Sequence, residues 1–393
     1  MLFRGANRVR ALAVKRVWVG ALLTTTAVLG AGWAWAASGW RIEPTASQNA
    51  SLSAVSCPSA TGCWAVGFTS NVSRRMRPVI ELWNGRRWKM EALSLPRRLR
   101  FGTFADISCA SATFCVAVGT EGVSVYVSRS PYGELWDGRT WTTEPMASPV
   151  KQDVTLAGVS CTSRSACVAV GVRYLSPGLR RAGFAQRWDG HEWLTIRSPK
   201  VGPSGLSSGV ACMSATACMT GGRPNGPGAQ LWNGRRWIPQ VIPVPSGIVA
   251  YPRSVPALTA VSCPSARMCV GLAFVRTGLS SEAELADMWN GRRWTSARIP
   301  GASTPSDSVR LFGISCSSKL ACVAVGGDSS DPIVGSWNGR TWAVETLPKP
   351  ADEPSASLYR VSCDTATSCT AIGSSGSEQP TFLRRPLAER HQR

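Results

Sequence analysis

Hydrophobic residues along this chain recur in short runs that alternate with small or polar residues, a pattern typical of β-strands. The cysteines come in pairs, and Val or Ile stands two positions before the first Cys of all seven pairs. After the second Cys, the chain continues with short apolar segments such as Val116–Gly119 and Val168–Gly171. Aliphatic residues do not recur at helical spacing. Gly, Ser and Pro separate the runs, so the pattern predicts an all-β protein of short strands and turns.

The 14 cysteines set the length of a repeat. They form seven pairs with five residues between the two members: Cys57 with Cys63, Cys109 with Cys115, Cys161 with Cys167, Cys212 with Cys218, Cys263 with Cys269, Cys316 with Cys322 and Cys363 with Cys369. The first cysteines of successive pairs are 47–53 residues apart, a period typical of propeller blades. Each pair flanks a predicted hairpin turn, where opposed Cα atoms lie close enough for a disulfide, so we predict one disulfide per unit. Zinc is the alternative, but the chain has only two histidines, and we predict neither a metal nor a cofactor.

A second motif, Trp-Asx-Gly-x-x-Trp, recurs six times in phase with the cysteines. It begins at Trp83, Trp136, Trp188, Trp232, Trp289 and Trp337. Asn-Gly and Asp-Gly supply the positive φ angles of tight hairpin turns, so the motif predicts a hairpin in the second half of each unit. The large tryptophan side chains are predicted to pack between neighbouring units.

Seven cysteine hairpins stand against six tryptophan hairpins, and this mismatch decides the predicted architecture. The last unit is predicted to end in a third strand at Thr381–Arg385, with no fourth strand after it. Upstream, Trp40–Pro44 matches the segments that follow the second tryptophan in other units, such as Trp141–Pro145. We therefore predict a seven-bladed β-propeller of four-stranded blades over residues 37–386, in which the N-terminal strand closes the C-terminal blade. Residues 387–393 are predicted to be a polar tail.

Over residues 38–386 these motifs resemble the repeat β-propellers of exported bacterial proteins, whose units read roughly Leu-x-x-Val-Ser-Cys, Cys-x-Ala-Val-Gly and Leu-Trp-Asn-Gly-x-x-Trp. More distantly, the tryptophan hairpin is similar to the Asp-box turn of sialidase-like propellers and to kelch-type turns. The Ser-x-Asp lead-in of the Asp box is absent, and four of the six turns carry Asn. The resemblance therefore implies the propeller fold and does not imply sialidase activity.

The N-terminal segment predicts export. Residues 1–36 combine a basic start, an apolar run from Val17 to Trp35 and a small-residue site at Ala34–Ala36. Residues 17–36 are predicted to act either as part of a cleaved signal peptide or as a membrane anchor. Behind such a leader, a fully paired set of cysteines indicates an oxidising, extracytoplasmic compartment. The formal net charge of +20 favours anionic partners.

Recognition is predicted in the connections between second and third strands and between blades, because these differ in length and content while the turns are uniform. The candidate ligand-binding residues there are Arg74, Arg75, Arg77, Arg97, Arg98, Arg100, Arg173, Tyr174, Arg180, Arg181, Tyr251, Arg253 and Arg310. Guanidinium groups bind carboxylates, sulfates and phosphates. We predict a monomeric, non-catalytic scaffold that binds an extracytoplasmic protein, a glycan or an anionic envelope polymer.

Catalytic signals are weak, and no catalytic residue is predicted. His191 lies in a turn and His391 in the predicted tail, so neither is placed beside a carboxylate as a general base would be. The alternative hypothesis is a sialidase-like or other carbohydrate-active enzyme, which would need only the carboxylates, tyrosines and arginines that the variable connections contain. A structural envelope protein is the third hypothesis. Nucleic acid is not favoured, because no nucleic-acid motif appears in a chain predicted to be exported.

Overall fold

The structure is a computed structural model that describes residues 39–70, 75–93, 95–96, 101–122, 130–148, 153–175, 180–200, 209–222, 228–265, 267–279, 281–300, 309–376 and 385–392. The predicted leader, residues 1–36, lies outside the described residues. Within them, no helix combines the length and the apolar character that a membrane span requires.

Seven four-stranded antiparallel sheets form the blades of a β-propeller, which confirms the predicted fold. Blade 1 contains β2 (Ala50–Ser59), β3 (Gly62–Ser70), β4 (Met76–Trp83) and β5 (Trp88–Met90), and blade 2 contains β6 (Gly102–Ser111), β7 (Phe114–Glu121), β8 (Ser130–Trp136) and β9 (Trp141–Pro145). Blade 3 contains β10 (Val154–Ser163), β11 (Ala166–Leu175), β12 (Arg180–Trp188) and β13 (Trp193–Thr195), and blade 4 contains β14 (Val210–Ser214), β15 (Ala217–Gly221), β16 (Ala229–Trp232) and β17 (Trp237–Gln240). Blade 5 contains β18 (Ala257–Ser265), β19 (Met268–Arg276), β20 (Glu282–Trp289) and β21 (Trp294–Arg298), and blade 6 contains β22 (Arg310–Ser318), β23 (Ala321–Gly327), β24 (Pro332–Trp337) and β25 (Trp342–Thr346). Blade 7 contains β26 (Ala356–Cys363), β27 (Ser368–Ser375), β28 (Arg385–Gln392) and β1 (Trp40–Glu43).

The first strand of each blade lies at the centre of the ring, where it contacts the first strands of both neighbouring blades. The buried hydrophobic residues fall into seven clusters, one at each junction between consecutive blades. In blade 2, Val116 and Val118 pack against blade 3, whereas Ala117 packs against blade 1. Alternation along one strand therefore fills two junctions, because successive side chains point to opposite faces of the sheet.

Each blade carries one disulfide, which confirms the pairs predicted from the spacing. The bonds join Cys57 to Cys63, Cys109 to Cys115, Cys161 to Cys167, Cys212 to Cys218, Cys263 to Cys269, Cys316 to Cys322 and Cys363 to Cys369, and none of the 14 cysteines is free. In five blades the two cysteines are direct cross-strand partners of the first hairpin. Such a set is typical of proteins from an oxidising, extracytoplasmic compartment.

The second cysteine of every pair is buried, which the spacing alone did not show. Each of these seven residues is at most 2% exposed and lies in one of the interblade clusters. They are Cys63, Cys115, Cys167, Cys218, Cys269, Cys322 and Cys369. Unlike the predicted binding residues, these cysteines are closed to a ligand in solution. One half of each disulfide therefore belongs to the core that holds the blades together.

The predicted closure is confirmed. β1 from the N-terminus is the outermost strand of blade 7, and its pairs with β28 include Trp40 with His391 and Glu43 with Ala388. Trp40 is buried in the cluster between blades 6 and 7. One blade is therefore built from both ends of the chain, which leaves the ring without a gap.

The position predicted for the third strand of blade 7 was wrong. Thr381–Arg385 was expected to form it, but β28 begins at Arg385 and continues to Gln392, and residues 381–384 lie outside the described residues. The predicted tail after residue 386 is instead mostly strand, with residues 387–391 buried. His391 takes the place of the first tryptophan of the hairpin, with its ring 5.6 Å from that of Trp40, so the motif search did not find this strand.

A ring of serine hydroxyls joins the innermost strands of neighbouring blades. The serine before the first Cys of one blade accepts a hydrogen bond of 2.9–3.0 Å from the backbone N–H of the first Cys in the next blade. The acceptors are Ser56, Ser108, Ser160, Ser262, Ser315 and Ser362. Ser362 accepts from Cys57 and so links blade 7 to blade 1. Blade 4 has Ala211 at this position, which leaves the junction with blade 5 without its bond.

Substituting Ala211→Ser is expected to complete this ring and stabilise the propeller. The new hydroxyl would reach the N–H of Cys263, and one such bond contributes about 1 kcal/mol to the free energy of unfolding. Urea unfolding under non-reducing conditions measures the change. Ser262→Ala, which removes the corresponding bond at the next junction, is the matched control and should destabilise the protein by a similar amount. A neutral or destabilising Ala211→Ser would contradict the assigned role of the serines.

The antiparallel order gives the propeller two different ends. The turn face carries the turns between paired cysteines and the tryptophan hairpin turns, which in blade 1 are residues 60–61 and 84–87. The loop face carries the connections between second and third strands and between blades. The predicted recognition residues that the structure describes belong to the loop face.

Candidate functional site

The structure places the described candidate residues at the loop-face ends of their strands or in adjoining connections. Arg77, Arg173, Tyr174, Arg181 and Arg310 lie in strands, and Arg75, Tyr251 and Arg253 lie in connections. Arg180 begins β12, but its side chain is not described. Arg74, Arg97, Arg98 and Arg100 lie outside the described residues.

Four arginine–aromatic stacks lie on the described part of the loop face, and a fifth, Arg164 with Phe114, lies on the turn face. In blade 3, Tyr174 and Arg181 are direct cross-strand partners, and the guanidinium carbon of Arg181 lies 5.4 Å from the centre of the tyrosine ring. Arg75 lies 5.1 Å from the ring of Phe101, at the junction of blades 1 and 2. Such a stack holds the flat guanidinium group in place and contributes about 0.5–1 kcal/mol at an exposed site.

Two further stacks occupy blade 5 and its borders. The guanidinium of Arg276 lies 5.6 Å from the ring of Tyr251 and also donates to the carbonyl of Leu279 at 2.6 Å. Arg310 lies 5.8 Å from the ring of Phe274 and forms an ion pair with Glu282. Sequence reasoning had selected Tyr251 and Arg310 without identifying the residues they contact, because residues on different strands become neighbours only when the blades pack.

The contacts of the candidate residues stay within one blade or between adjacent blades. Among the described residues, the stacks are therefore separate sites in blades 1, 3 and 5, with Arg310 at the start of blade 6, rather than one cluster. Arg173 differs from the others because its Nε is buried and has no hydrogen-bond partner among the described residues. Arg253 differs in its backbone, with a φ of 66° in a short turn after Tyr251.

A charged pair lies near the centre of the ring, where sequence reasoning had not looked. The residue three positions before the first Cys is Ala or Gly in five blades, but it is Asp106 in blade 2 and Arg360 in blade 7. Asp106 accepts hydrogen bonds of 2.9 Å from the backbone N–H groups of Ile107 and Val159. Burial raises the pKa of Asp106 to about 6, and the positive charge of Arg360 opposes that rise. Aligning the seven units at the cysteines would have shown these two exceptions.

Neighbouring innermost strands approach each other closely near this pair. A Cβ on Gly158 would lie 2.6 Å from the Cα of Gly209, and a Cβ on Gly313 would lie 2.7 Å from the carbonyl oxygen of Tyr359. These glycines are therefore required for contact between neighbouring innermost strands. Arg360 donates to the carbonyl oxygens of Phe312 and Tyr359 at 3.3 and 3.0 Å, which ties its side chain to the protein itself.

A row of buried polar side chains lies in the third strands. The residue two positions before the first tryptophan, or before His391 in blade 7, is Glu81, Glu134, Gln186, Gln230, Asp287 or Glu389. These side chains are at most 2% exposed, so they are closed to any ligand in solution. Glu81 accepts two backbone N–H groups at 3.0 Å, whereas neither carboxylate oxygen of Glu389 has a partner among the described residues. Burial raises the pKa of Glu389 to about 8.

The turn face is regular. In all six tryptophan hairpins the Asn or Asp side chain accepts two backbone N–H groups of its own turn at 2.7–3.1 Å, and the following Gly has a positive φ. The two tryptophans of each hairpin pack together with ring centres 5.5–5.8 Å apart. In the described part of the chain, no group of three or more His, Cys, Asp and Glu side chains is arranged to hold a metal ion.

Comparison with known proteins adds information on fold. No protein-family model matches the chain, and no curated protein matches it. Among solved structures, YCF48 bound to a D1 peptide is similar at a TM-score of 0.56 and 12% identity, over 90% of this chain and 97% of that one. YCF48 from Cyanidioschyzon merolae is similar at a TM-score of 0.54 and 10% identity, over 90% and 98%. The shared feature is the propeller fold.

An enzyme is also among the similar structures. The GH74 xyloglucanase from Xanthomonas campestris has a TM-score of 0.53 and 12% identity, over 88% of this chain but 55% of the xyloglucanase. Similar folds at such low identity serve both binding proteins and enzymes, so function has to be argued from the surface of this chain.

Proposed function

We propose that this protein is a non-catalytic, extracytoplasmic binding propeller that takes an acidic protein, glycan or envelope polymer on its loop face. The observation that carries the proposal is the set of arginine–aromatic stacks at separate positions on that face. A guanidinium whose flat side rests on an aromatic ring still presents its N–H edge, which binds carboxylate or phosphate through two parallel hydrogen bonds.

The scaffold supports this role. Seven disulfides and seven interblade clusters hold the ring, while the connections on the loop face differ from blade to blade. Variable connections on a rigid frame are the usual place of recognition in such folds. One structure of similar fold and length, that of YCF48, is bound to a D1 peptide.

The stack of Arg181 on Tyr174 in blade 3 provides the sharpest test. Arg181→Glu reverses the charge over Tyr174, and Arg187→Glu makes the same change on the same strand at an exposed site nearer the turn face. Both proteins, together with the unaltered one, would be screened against panels of glycans, anionic envelope polymers and cross-linked envelope proteins. We expect Arg181→Glu to weaken the detected interaction at least tenfold, about 1.4 kcal/mol, and Arg187→Glu to leave it unchanged.

The alternatives are outcomes of the same experiment. Equal binding by Arg181→Glu and the unaltered protein would remove blade 3 from the binding face. Turnover of glycosides by the unaltered protein would favour the carbohydrate-active enzyme. A specific cross-linked partner without any saturable ligand would favour the structural envelope protein.

A further inference from the structure

The turn face carries exposed arginines that the turns themselves do not use. The hairpin turns of blades 4, 5 and 6 present Arg235, Arg236, Arg292, Arg293 and Arg340, all exposed. Their backbone N–H groups are bound by the Asn of the turn, but their guanidinium groups make no hydrogen bond, ion pair or ring contact with the residues that the structure describes. This differs from the loop face, where arginines such as Arg276 and Arg310 contact their own surroundings.

The cysteine turns of the same blades extend this positive surface. Arg267 follows the turn of blade 5 and Lys319 lies in the turn of blade 6, both exposed. No acidic residue lies in the cysteine turns or hairpin turns of blades 4–6. The turns of blades 2, 3 and 7 do contain acids, namely Asp137, Asp189, Glu192 and Asp364. We call the uninterrupted positive surface of blades 4–6 the basic arc.

We propose that the basic arc binds a linear polyanion, a chain with repeated phosphate or carboxylate groups, at a site separate from the loop face. Two observations support this ligand class. The cations are presented by equivalent rigid turns on consecutive blades, so their positions repeat along the arc. The tryptophans beside them are buried or half-buried in the blade junctions, so the exposed side chains of these hairpin turns are mainly arginines. A surface of repeating charge fits a ligand of repeating charge.

The chain supplies a matched control for this proposal. The sequence Asn-Gly-Arg-Arg-Trp occurs in the hairpin turns of blades 1, 4 and 5, ending at Trp88, Trp237 and Trp294. In the blade 1 turn the Asn84 side chain accepts the same two backbone hydrogen bonds, but this turn lies beside blade 7, which carries Asp364. Replacing the two arginines of this turn thus changes net charge and local chemistry in the same way, outside the arc.

The experiment measures binding of long-chain inorganic polyphosphate and of polygalacturonate at several salt concentrations, with orthophosphate and neutral dextran as references. A variant with Arg292→Gln and Arg293→Gln should raise Kd for the polymers at least tenfold, and the slope of log affinity against log salt should fall by about 1.4, or about 0.7 per lost charge as for single-stranded polyanions. Arg86→Gln with Arg87→Gln should leave Kd within twofold. Polyphosphate binding should strengthen with chain length, and orthophosphate should bind weakly.

Each result bears on the proposal in one direction. Equal losses in the arc and blade 1 variants would show attraction by net charge alone and overturn the arc. Binding of orthophosphate as tight as that of polyphosphate would also overturn it, and binding of one polymer but not the other would support it and identify the anionic group. Arg181→Glu on the loop face should leave polyanion binding intact, which separates this outcome from that of the proposed function. Unchanged thermal unfolding and the absence of free thiols would show that each variant is folded.

Discussion

Replacing Trp40–Glu43 with Gly-Ser-Gly-Ser is expected to lower the free energy of unfolding by about 4 kcal/mol or more, the range measured when a buried tryptophan is removed from a core. The change removes the fourth strand of blade 7 together with the side chain that packs at the junction with blade 6. It leaves β28 with an unpaired edge on a blade that must hold the ring closed. Urea unfolding followed by tryptophan fluorescence measures the effect.

Two controls locate the effect in the closure. Substituting exposed Arg41→Ala changes the same strand without altering its core contacts, so it should change stability by less than about 0.5 kcal/mol. Trp40→Ala and His391→Ala, alone and combined, should show a coupling of about 0.5–1.5 kcal/mol, because their rings pack together. Full stability after loss of the strand would show that the ring does not depend on this blade being completed. Deletion of residues 387–393 should lower the free energy of unfolding as much as loss of β1 does, because it removes most of the strand with which β1 pairs.

The second large effect is a loss of stability as the pH rises from about 4.5 to about 8, to which Glu389 contributes. The pKa of Glu389 is about 8 in the folded protein against 4.5 in the unfolded chain, because burial disfavours the charged form. Between these values the folded protein keeps a proton that the unfolded chain releases. The stabilising contribution is therefore complete below about pH 4.5 and is lost as the pH rises through about 8, at about 1.4 kcal/mol per pH unit.

Glu389→Gln is expected to remove this contribution. At pH 8 the variant should be more stable than the unaltered protein by on the order of 3 kcal/mol, and near pH 4.5 the two should be alike. Glu284, whose pKa is raised to about 8, and Asp287, whose pKa is raised to about 7, keep part of the pH dependence in the variant. Unfolding midpoints from pH 4.5 to 8.5 measure the profile, with the exposed Glu192→Gln as control. Parallel profiles for the unaltered protein and Glu389→Gln would show that the carboxyl is already paired in solution.

Blade 7 shows why part of the fold could be predicted and part could not. The count of seven cysteine hairpins against six tryptophan hairpins was sufficient to predict closure by Trp40. A blade that lacks a strand in its own repeat makes the two counts unequal, and the strand near Trp40 has no other blade to join. The strand Arg385–Gln392 was missed because His391 and Arg390 replace the expected Trp and Leu. Its segment Arg-Pro-Leu-Ala-Glu-Arg-His nevertheless parallels Arg-Pro-Val-Ile-Glu-Leu-Trp at residues 77–83, and comparison of the units outside the tryptophan motif would have found it.

Arg390 became intelligible only in the folded ring. A charged residue near the end of the chain suggests a solvated tail, yet Arg390 is buried, lies 4.2 Å from the ring centre of Trp83 and donates to the carbonyl of Ala60 at 2.7 Å. Both partners belong to blade 1, more than 300 residues away in the chain. Burial lowers its pKa from the ordinary value. Contacts across the closure join the two ends of the chain, so no local pattern could reveal them.

The repeated motifs were sufficient for the number of blades, the disulfide pairs, the closure and the division into a uniform and a variable face, because strand alternation, cysteine spacing and Asx-Gly turns are local properties. Only the tertiary structure showed the burial of the second cysteines, the serine ring, the Asp106 and Arg360 pair and the unpartnered Glu389, because each depends on side chains from different blades. It also distinguished arginines stacked on aromatic rings at the loop face from the uncompensated arginines of the basic arc. Composition counts these arginines alike, whereas packing decides which guanidinium groups rest on an aromatic ring and which project from a turn without one.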